Sequence, residues 1–80
     1  MLHRSMTDVL IPPIGNGLDD VHLVEWLVPD ASDVDLGQSI FTIESDKSVV
    51  EMPAPIAGTL RIRVAAGEMF AVGRLVAEID

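Results

Sequence analysis

One stretch of the sequence decides the fold: residues 43–55 read IESDKSVVEMPAP, in which two apolar segments flank a short polar run. The polar run at 45–47 contains Ser and Asp, which favour tight turns. Prolines near the end of the stretch stop the second apolar segment, because proline cannot donate a hydrogen bond to a β-ladder. The stretch therefore predicts a β-hairpin with Lys47 at or near its tip.

The rest of the chain has the same character. Short apolar segments alternate with Gly, Pro, Asp and Ser, and no amphipathic helix is recognisable, which is typical of an all-β domain. The clearest alternation lies in residues 58–64, where Leu60, Ile62 and Val64 are expected to point inward. Strands are predicted over residues 8–11, 21–28, 40–43, 48–52, 58–64 and 75–79.

The segment from Val21 to Val28 contains the single tryptophan of the chain. The spacing predicts that Val24, Trp26 and Val28 share one face of a strand, since side chains alternate with a period of two. Trp26 is expected to be buried or half-buried packing, because a large aromatic ring contributes most when it is removed from water.

The two halves of the sequence are similar when one is shifted by 36 residues. Val28 then aligns with Val64, Gly37 with Gly73, and apolar positions align with apolar positions. Such a repeat predicts two similar four-strand units that bury their apolar faces against each other. If a pseudo-twofold axis relates them, the turn at 45–47 lies at one end and the chain termini at the other.

Composition and net charge argue against several classes of function and partner. Eighty residues make one domain, and 49% hydrophobic residues argue against disorder. A net charge of −8 disfavours nucleic acid and anionic membranes as partners. There is no cysteine and no apolar run long enough to span a bilayer, and His22 is expected to be a strand residue without a metal partner. Residues 1–6 are expected to be a flexible N-terminal tail or a cloning remnant.

The stretch 43–55, followed by Gly58, resembles the lipoyl domain of 2-oxo acid dehydrogenase complexes, especially that of the acyltransferase component. Further similarities are Gly15 and Gly17, Trp26, and the glycines at 37, 67 and 73. The resemblance covers residues 7–80, which are interpreted as the lipoyl domain. It implies an all-β flattened barrel, or sandwich, of two four-stranded antiparallel sheets with internal pseudo-twofold symmetry.

The resemblance also implies a function. Lipoate is expected in amide linkage to Lys47, as a swinging arm that carries acyl groups and electrons between active sites. The implied partners are a thiamin-dependent 2-oxo acid dehydrogenase, an acyltransferase core, a dihydrolipoamide dehydrogenase, and a lipoate-protein ligase or lipoyl transferase. No catalytic or metal-binding residue is expected. Residues expected to serve partner recognition are Glu44, Asp46, Ser48, Gly15, Asn16, Gly17 and Leu18.

Two positions depart from the family pattern. Ala31-Ser32 stands where a Gly-Asp pair is usual, while the second half keeps Gly67-Glu68. Alanine adopts a positive φ less readily than glycine, so a different turn type is expected at Ala31. Ser48 stands where alanine is commoner, and this small residue is expected to be tolerated.

Two other functions fit the same fold. A biotinyl carrier domain is similar in shape, but that family flanks its lysine with methionines, where this chain has Asp46 and Ser48. An unmodified barrel that serves as an adaptor is the other alternative. Bacterial or archaeal cytoplasm and the mitochondrial matrix are the expected locations, and the motif leans toward pyruvate or branched-chain complexes.

Overall fold

A computed structural model of the chain describes residues 6–13, 20–45 and 48–80. No helix long and apolar enough to cross a membrane occurs within these residues. The described secondary structure consists of eight strands: β1 (Thr7–Leu10), β2 (Asp20–Trp26), β3 (Asp33–Val34), β4 (Ser39–Glu44), β5 (Val49–Pro53), β6 (Gly58–Ile62), β7 (Met69–Ala71) and β8 (Leu75–Ile79).

The strands form two antiparallel sheets of four, as the sequence predicts. The strand order is β1-β8-β6-β3 in the first, here called the terminal sheet, and β5-β4-β2-β7 in the second, called the hairpin sheet. Residues of the inner faces form one hydrophobic core between the sheets. Its buried members are Val9, Ile11, Val21, Leu23, Val34, Ile40, Phe41, Ile43, Ala54, Leu60, Phe70, Val76, Ala77 and Ile79.

The predicted alternation around β6 is confirmed. Leu60 is fully buried, and Ile62 and Val64 are partly buried against the core. Regular pairing of the strand ends at Ile62 rather than at Val64.

The predicted face of β2 is only partly right. Trp26 and Val28 pack against the core, but upstream of them the fully buried residues are Val21 and Leu23 rather than Val24. The pairing of β2 with β4 shifts between Leu23 and Glu25, which marks a β-bulge. Because a bulge inserts one residue into the strand, it moves the inward-facing positions by one, and a simple period of two fails there.

The internal repeat corresponds to a pseudo-twofold relation in the structure. Exchanging β1 with β5, β2 with β6, β3 with β7 and β4 with β8 converts the order of one sheet into that of the other. Hydrogen bonds obey the same relation: the N–H of Leu27 donates to the carbonyl of Ile40 and that of Arg63 to Val76, both at 2.9 Å.

The hairpin between β4 and β5 lies at one end of the barrel and the paired terminal strands at the other. His22 pairs with Glu44 next to the hairpin, and Trp26 pairs with Phe41 further along. From there the chain continues to Ala31, whose N–H donates to Leu60 in the terminal sheet. Leu60 in turn pairs with Ile79, which pairs with Thr7 at the start of β1.

The turn at Ala31 has left-handed geometry, so the expected change of turn type is wrong. Ala31 has a φ of 66°, and Gly67, which is 36 residues later, has a φ of 95°. The N–H of Ala31 donates to Leu60 and that of Gly67 to Leu23, both at 2.8 Å. These hydrogen bonds extend the β3–β6 and β2–β7 pairs into the two turns. They impose the same backbone at both turns, and Ala31 adopts it at a cost in strain.

Candidate functional site: the β4–β5 hairpin

The candidate site is the connection between β4 and β5. Glu44 pairs with Val49 at the end of the ladder. Beyond that pair, the N–H of Ser45 donates to the carbonyl of Ser48 at 2.9 Å. Only two residues therefore separate the ends of this closing hydrogen bond, and they are Asp46 and Lys47. Hydrogen bonds therefore join the two strands as far as Ser45 and Ser48, on either side of the predicted attachment lysine.

The base of the hairpin is anchored in the core. In β4, Ile40, Phe41 and Ile43 are all buried. The ring of Trp26 lies 5.1 Å from that of Phe41, and its indole N–H donates to the carbonyl of Val64 at 3.0 Å. Because Val64 belongs to the second half of the chain, this contact ties the hairpin sheet to the opposite side of the barrel. The base of the hairpin is thus held by core packing and by this hydrogen bond.

The sequence-predicted site residues fall into two groups. Glu44 and Ser48 lie at the two sides of the hairpin, and both are exposed. The predicted attachment residue Lys47 and its neighbour Asp46 lie outside the described residues. So do Gly15, Asn16, Gly17 and Leu18, which were predicted to take part in recognition.

The residue that follows the 14–19 segment lies at the hairpin end of the barrel. Asp20 begins β2 and pairs with Ala71. It is two residues before His22, which pairs with Glu44. The structure therefore brings the downstream flank of the predicted recognition segment close to the hairpin, which is compatible with a joint recognition surface.

A histidine beside the hairpin is one residue that the sequence did not assign to the site. His22 Nδ1 lies 3.7 Å from Glu44 Oε1 across the β2–β4 pair, and both side chains are partly exposed. Sequence spacing held no signal for this contact, because it depends on the register of the two strands. Within the described residues no group of three or more His, Cys, Asp or Glu side chains is placed to hold a metal ion.

Charge is distributed unequally between the two sheets. The strands of the hairpin sheet contain Asp20, Glu25, Glu44 and Glu51 but no lysine or arginine. On the terminal sheet, by contrast, arginines neutralise carboxylates: Arg63 Nε donates to Glu78 at 2.7 Å, and Arg61 lies 3.4 Å from Asp80.

Comparison with known proteins agrees with this architecture. The family model described as "Biotin-requiring enzyme", which covers biotin and lipoyl attachment domains, matches residues 7–79. The chain belongs to the biotin/lipoyl attachment family. It is a carrier domain of the type to which a lipoyl or biotinyl group is covalently attached.

The curated relatives specify the type further. The chain is 32% identical over 71 residues to the dihydrolipoyllysine-residue acetyltransferase component of the pyruvate dehydrogenase complex from Staphylococcus aureus, strain Mu50. It is 31% identical over 71 residues to the protein of the same name from Staphylococcus epidermidis, strain ATCC 35984. Each match covers 88% of this chain and 16% of the relative. The chain therefore spans about a sixth of the length of these relatives, and it is similar to the lipoyl region of such an acetyltransferase.

Proposed function

We propose that Lys47 carries lipoate in amide linkage and that the domain shuttles acyl groups and electrons among the active sites of a 2-oxo acid dehydrogenase complex. The observation that carries this proposal is the hydrogen bond from Ser45 to Ser48, which closes a two-residue connection containing the only lysine of the chain. Membership of the family and the similarity to acetyltransferase components support it.

The residues beside the connection fit a modified lysine. A modifying enzyme must surround a primary amine on several sides, and the described flanks leave room for this, since Ser48 and Glu44 are both exposed. Lysine suits the role because its flexible stem ends in a single amine that can be acylated. Lipoate, when attached, supplies a dithiolane that accepts an acyl group together with two electrons.

The protein contributes position and recognition. A tether that reaches several partner sites raises the effective concentration of the attached group at each of them. The anchored β4–β5 pair fixes where the tether starts, so its reach is set by the arm rather than by the scaffold. In this proposal the domain is a substrate of enzymes and has no active site of its own.

Lipoate is favoured over biotin by the residues around the lysine. Asp46 and Ser48 flank Lys47, whereas methionines flank the lysine in biotinyl domains. The similar curated proteins are named as dihydrolipoyllysine-residue acetyltransferases, which supports the same choice.

The proposed partners are the thiamin-dependent dehydrogenase, the acyltransferase core, dihydrolipoamide dehydrogenase and a lipoylating enzyme. The proposed location is bacterial or archaeal cytoplasm or the mitochondrial matrix.

Enzymatic labelling tests the proposal. The domain is incubated with lipoate-protein ligase, lipoate and ATP, and in parallel with biotin ligase, biotin and ATP, and the mass of the intact protein is measured. We expect a lipoyl adduct on the wild type and none on Lys47→Arg, which keeps the positive charge but lacks a primary amine. A known lipoyl domain serves as the positive control.

Three outcomes distinguish the alternatives. A lipoyl adduct that is lost in Lys47→Arg supports the proposal. A biotinyl adduct without a lipoyl adduct would identify a biotin carrier. No adduct of either kind, while the known lipoyl domain is labelled, would leave the adaptor function. Lys47→Ala is expected to fold like the wild type, and its far-ultraviolet circular dichroism checks this.

A further inference from the structure

The outer face of the hairpin sheet carries exposed apolar residues next to the hairpin. Met69, His22, Glu44 and Val49 are successive partners across β7, β2, β4 and β5, so they form one row on one face. Val49 is 64% exposed and Met69 is 61% exposed. Val49 is next to the Ser45–Ser48 hydrogen bond, whereas Met69 lies on the opposite edge strand, three strand spacings or about 14 Å away. A partner that spans this face therefore covers an exposed apolar side chain at each edge.

A second row on the same face is acidic. Glu25 pairs with Thr42, and Thr42 pairs with Glu51. The two glutamates are exposed, and within the described residues neither is in an ion pair. They stand two strand spacings apart, about 10 Å, with a neutral threonine between them.

The pseudo-twofold relation provides an internal comparison for this row. The equivalent row of the terminal sheet consists of Arg61, Glu78 and Asp8. Glu25 therefore occupies the position that Arg61 occupies in the other half, 36 residues later. Both rows belong to the same kind of scaffold, so the fold itself does not require a face without cations.

Lipoylation of Lys47 makes the hairpin end of the domain more acidic. Amide formation removes the positive charge of Lys47, so the formal net charge changes from −8 to −8 − 1 = −9. A partner that acts on the modified domain therefore meets a more acidic hairpin end than the ligase does. Long-range attraction between this face and a basic surface speeds encounter and fixes orientation.

From these observations we infer that the outer face of the hairpin sheet, formed by Met69, His22, Glu44, Val49, Glu25 and Glu51, docks a basic protein surface that also contacts an apolar side chain at each edge of the sheet. The partner is the thiamin-dependent dehydrogenase that acylates the attached arm. This inference rests on the proposed function and assigns one of its partners to one side of the domain. Val49 and Met69 provide the apolar contact, and Glu25 and Glu51 provide the charge that steers the approach.

Reductive acylation of the lipoylated domain tests the inference. The dehydrogenase is the one that acylates the wild type when a panel of 2-oxo acids and their dehydrogenases is tried. The charge variant is Glu25→Gln with Glu51→Gln. Its control is Asp8→Asn with Asp35→Asn, which removes the same number of exposed carboxylates outside the hairpin sheet.

We expect kcat/KM of the charge variant to fall roughly fivefold to tenfold at low ionic strength, with the control within about twofold of wild type. The difference should shrink as salt is added, because screening weakens attraction between exposed charges. The apolar variant, Val49→Thr with Met69→Gln, should also lose activity, but independently of salt. Its control is Ile56→Thr with Leu36→Gln, at two exposed positions outside the sheet strands.

The results separate this inference from the proposed function. If every variant is acylated like the wild type, or if the charge variant and its control lose activity equally, the docking face is wrong and the carrier function stands. If no dehydrogenase acylates the lipoylated wild type, the proposed function fails and the inference fails with it. Thermal unfolding and the yield of lipoylation, measured for each variant, establish that folding and modification are intact.

Discussion

Ala31 and Gly67 occupy equivalent turns of the two halves, and both have a positive φ, at 66° and 95°. Each donates its N–H at 2.8 Å to the strand that pairs with the strand following the turn: Ala31 to Leu60 in β6, and Gly67 to Leu23 in β2. The backbone of these turns is thus set by the strand pairing that they extend and not by the residue that occupies them. Glycine meets this demand without strain, whereas alanine meets it against its steric preference.

The Ala31→Gly variant should be more stable than the wild type. Relief of left-handed strain outweighs the added entropy of the unfolded chain, for a net gain of roughly 0.5 kcal/mol. The reciprocal variant Gly67→Ala should lose about 1 kcal/mol, and space is not the reason, because an added Cβ at Gly67 meets nothing within 4 Å. Urea unfolding measures both, and a stabilising Gly67→Ala would contradict the explanation.

Gly58 is required for a different reason, which is close approach of the chain. A Cβ at Gly58 would lie 2.5 Å from the carbonyl oxygen of Asp80 and 2.8 Å from Cγ2 of Ile79. We expect Gly58→Ala to cost about 2–3 kcal/mol, since the join between β6 and β8 must move apart. Gly37→Ala is the comparison, because its Cβ has open space and carries only the cost of a positive φ. Equal losses in the two variants, measured by urea unfolding, would refute the steric argument.

The carboxylate of Asp30 replaces a strand partner for β6. Its Oδ1 accepts a hydrogen bond from the N–H of Ile62 at 2.8 Å. Asp30→Ala should cost about 1 kcal/mol, while Asp30→Asn, which keeps an acceptor oxygen, should cost less. Asp35→Ala is the matched control, because the Asp35 carboxylate is in none of the described hydrogen bonds or ion pairs. Hydrogen exchange of the Ile62 amide should accelerate in Asp30→Ala alone, and an unchanged rate would argue against the contact.

The indole of Trp26 links the two halves through its hydrogen bond to Val64 and its packing on Phe41. Trp26→Phe keeps a ring but loses the donor, and we expect a loss of about 1–2 kcal/mol in the free energy of unfolding. Circular dichroism must follow the transition, because the variant lacks the only tryptophan of the chain. Stability equal to that of the wild type would show that the Val64 carbonyl finds another partner at no cost.

Much of the fold was predictable from local sequence. Alternating apolar residues and turn residues predicted six of the eight strands, because these properties depend on near neighbours, and the 36-residue shift predicted the pseudo-twofold relation. The two short strands β3 and β7 were not predicted, since two or three residues carry too little alternation. The bulge in β2 and the left-handed Ala31 were missed, since each depends on pairing with a distant segment. For the site, Glu44 and Ser48 lie exposed at the two sides of the hairpin, and their role in recognition stays a prediction. The contact between His22 and Glu44 was invisible, because only the register of two strands brings them together.

Neither half of the chain makes a whole sheet. The terminal sheet takes β1 and β3 from the first half and β8 and β6 from the second, and the hairpin sheet is assembled in the same crossed manner. A fragment containing β1 to β4 would therefore have strands without their hydrogen-bonding neighbours, and so would a fragment containing β5 to β8. Fragment complementation is the consequence: the two peptides should remain unfolded when separate and regain one cooperative unfolding transition when mixed.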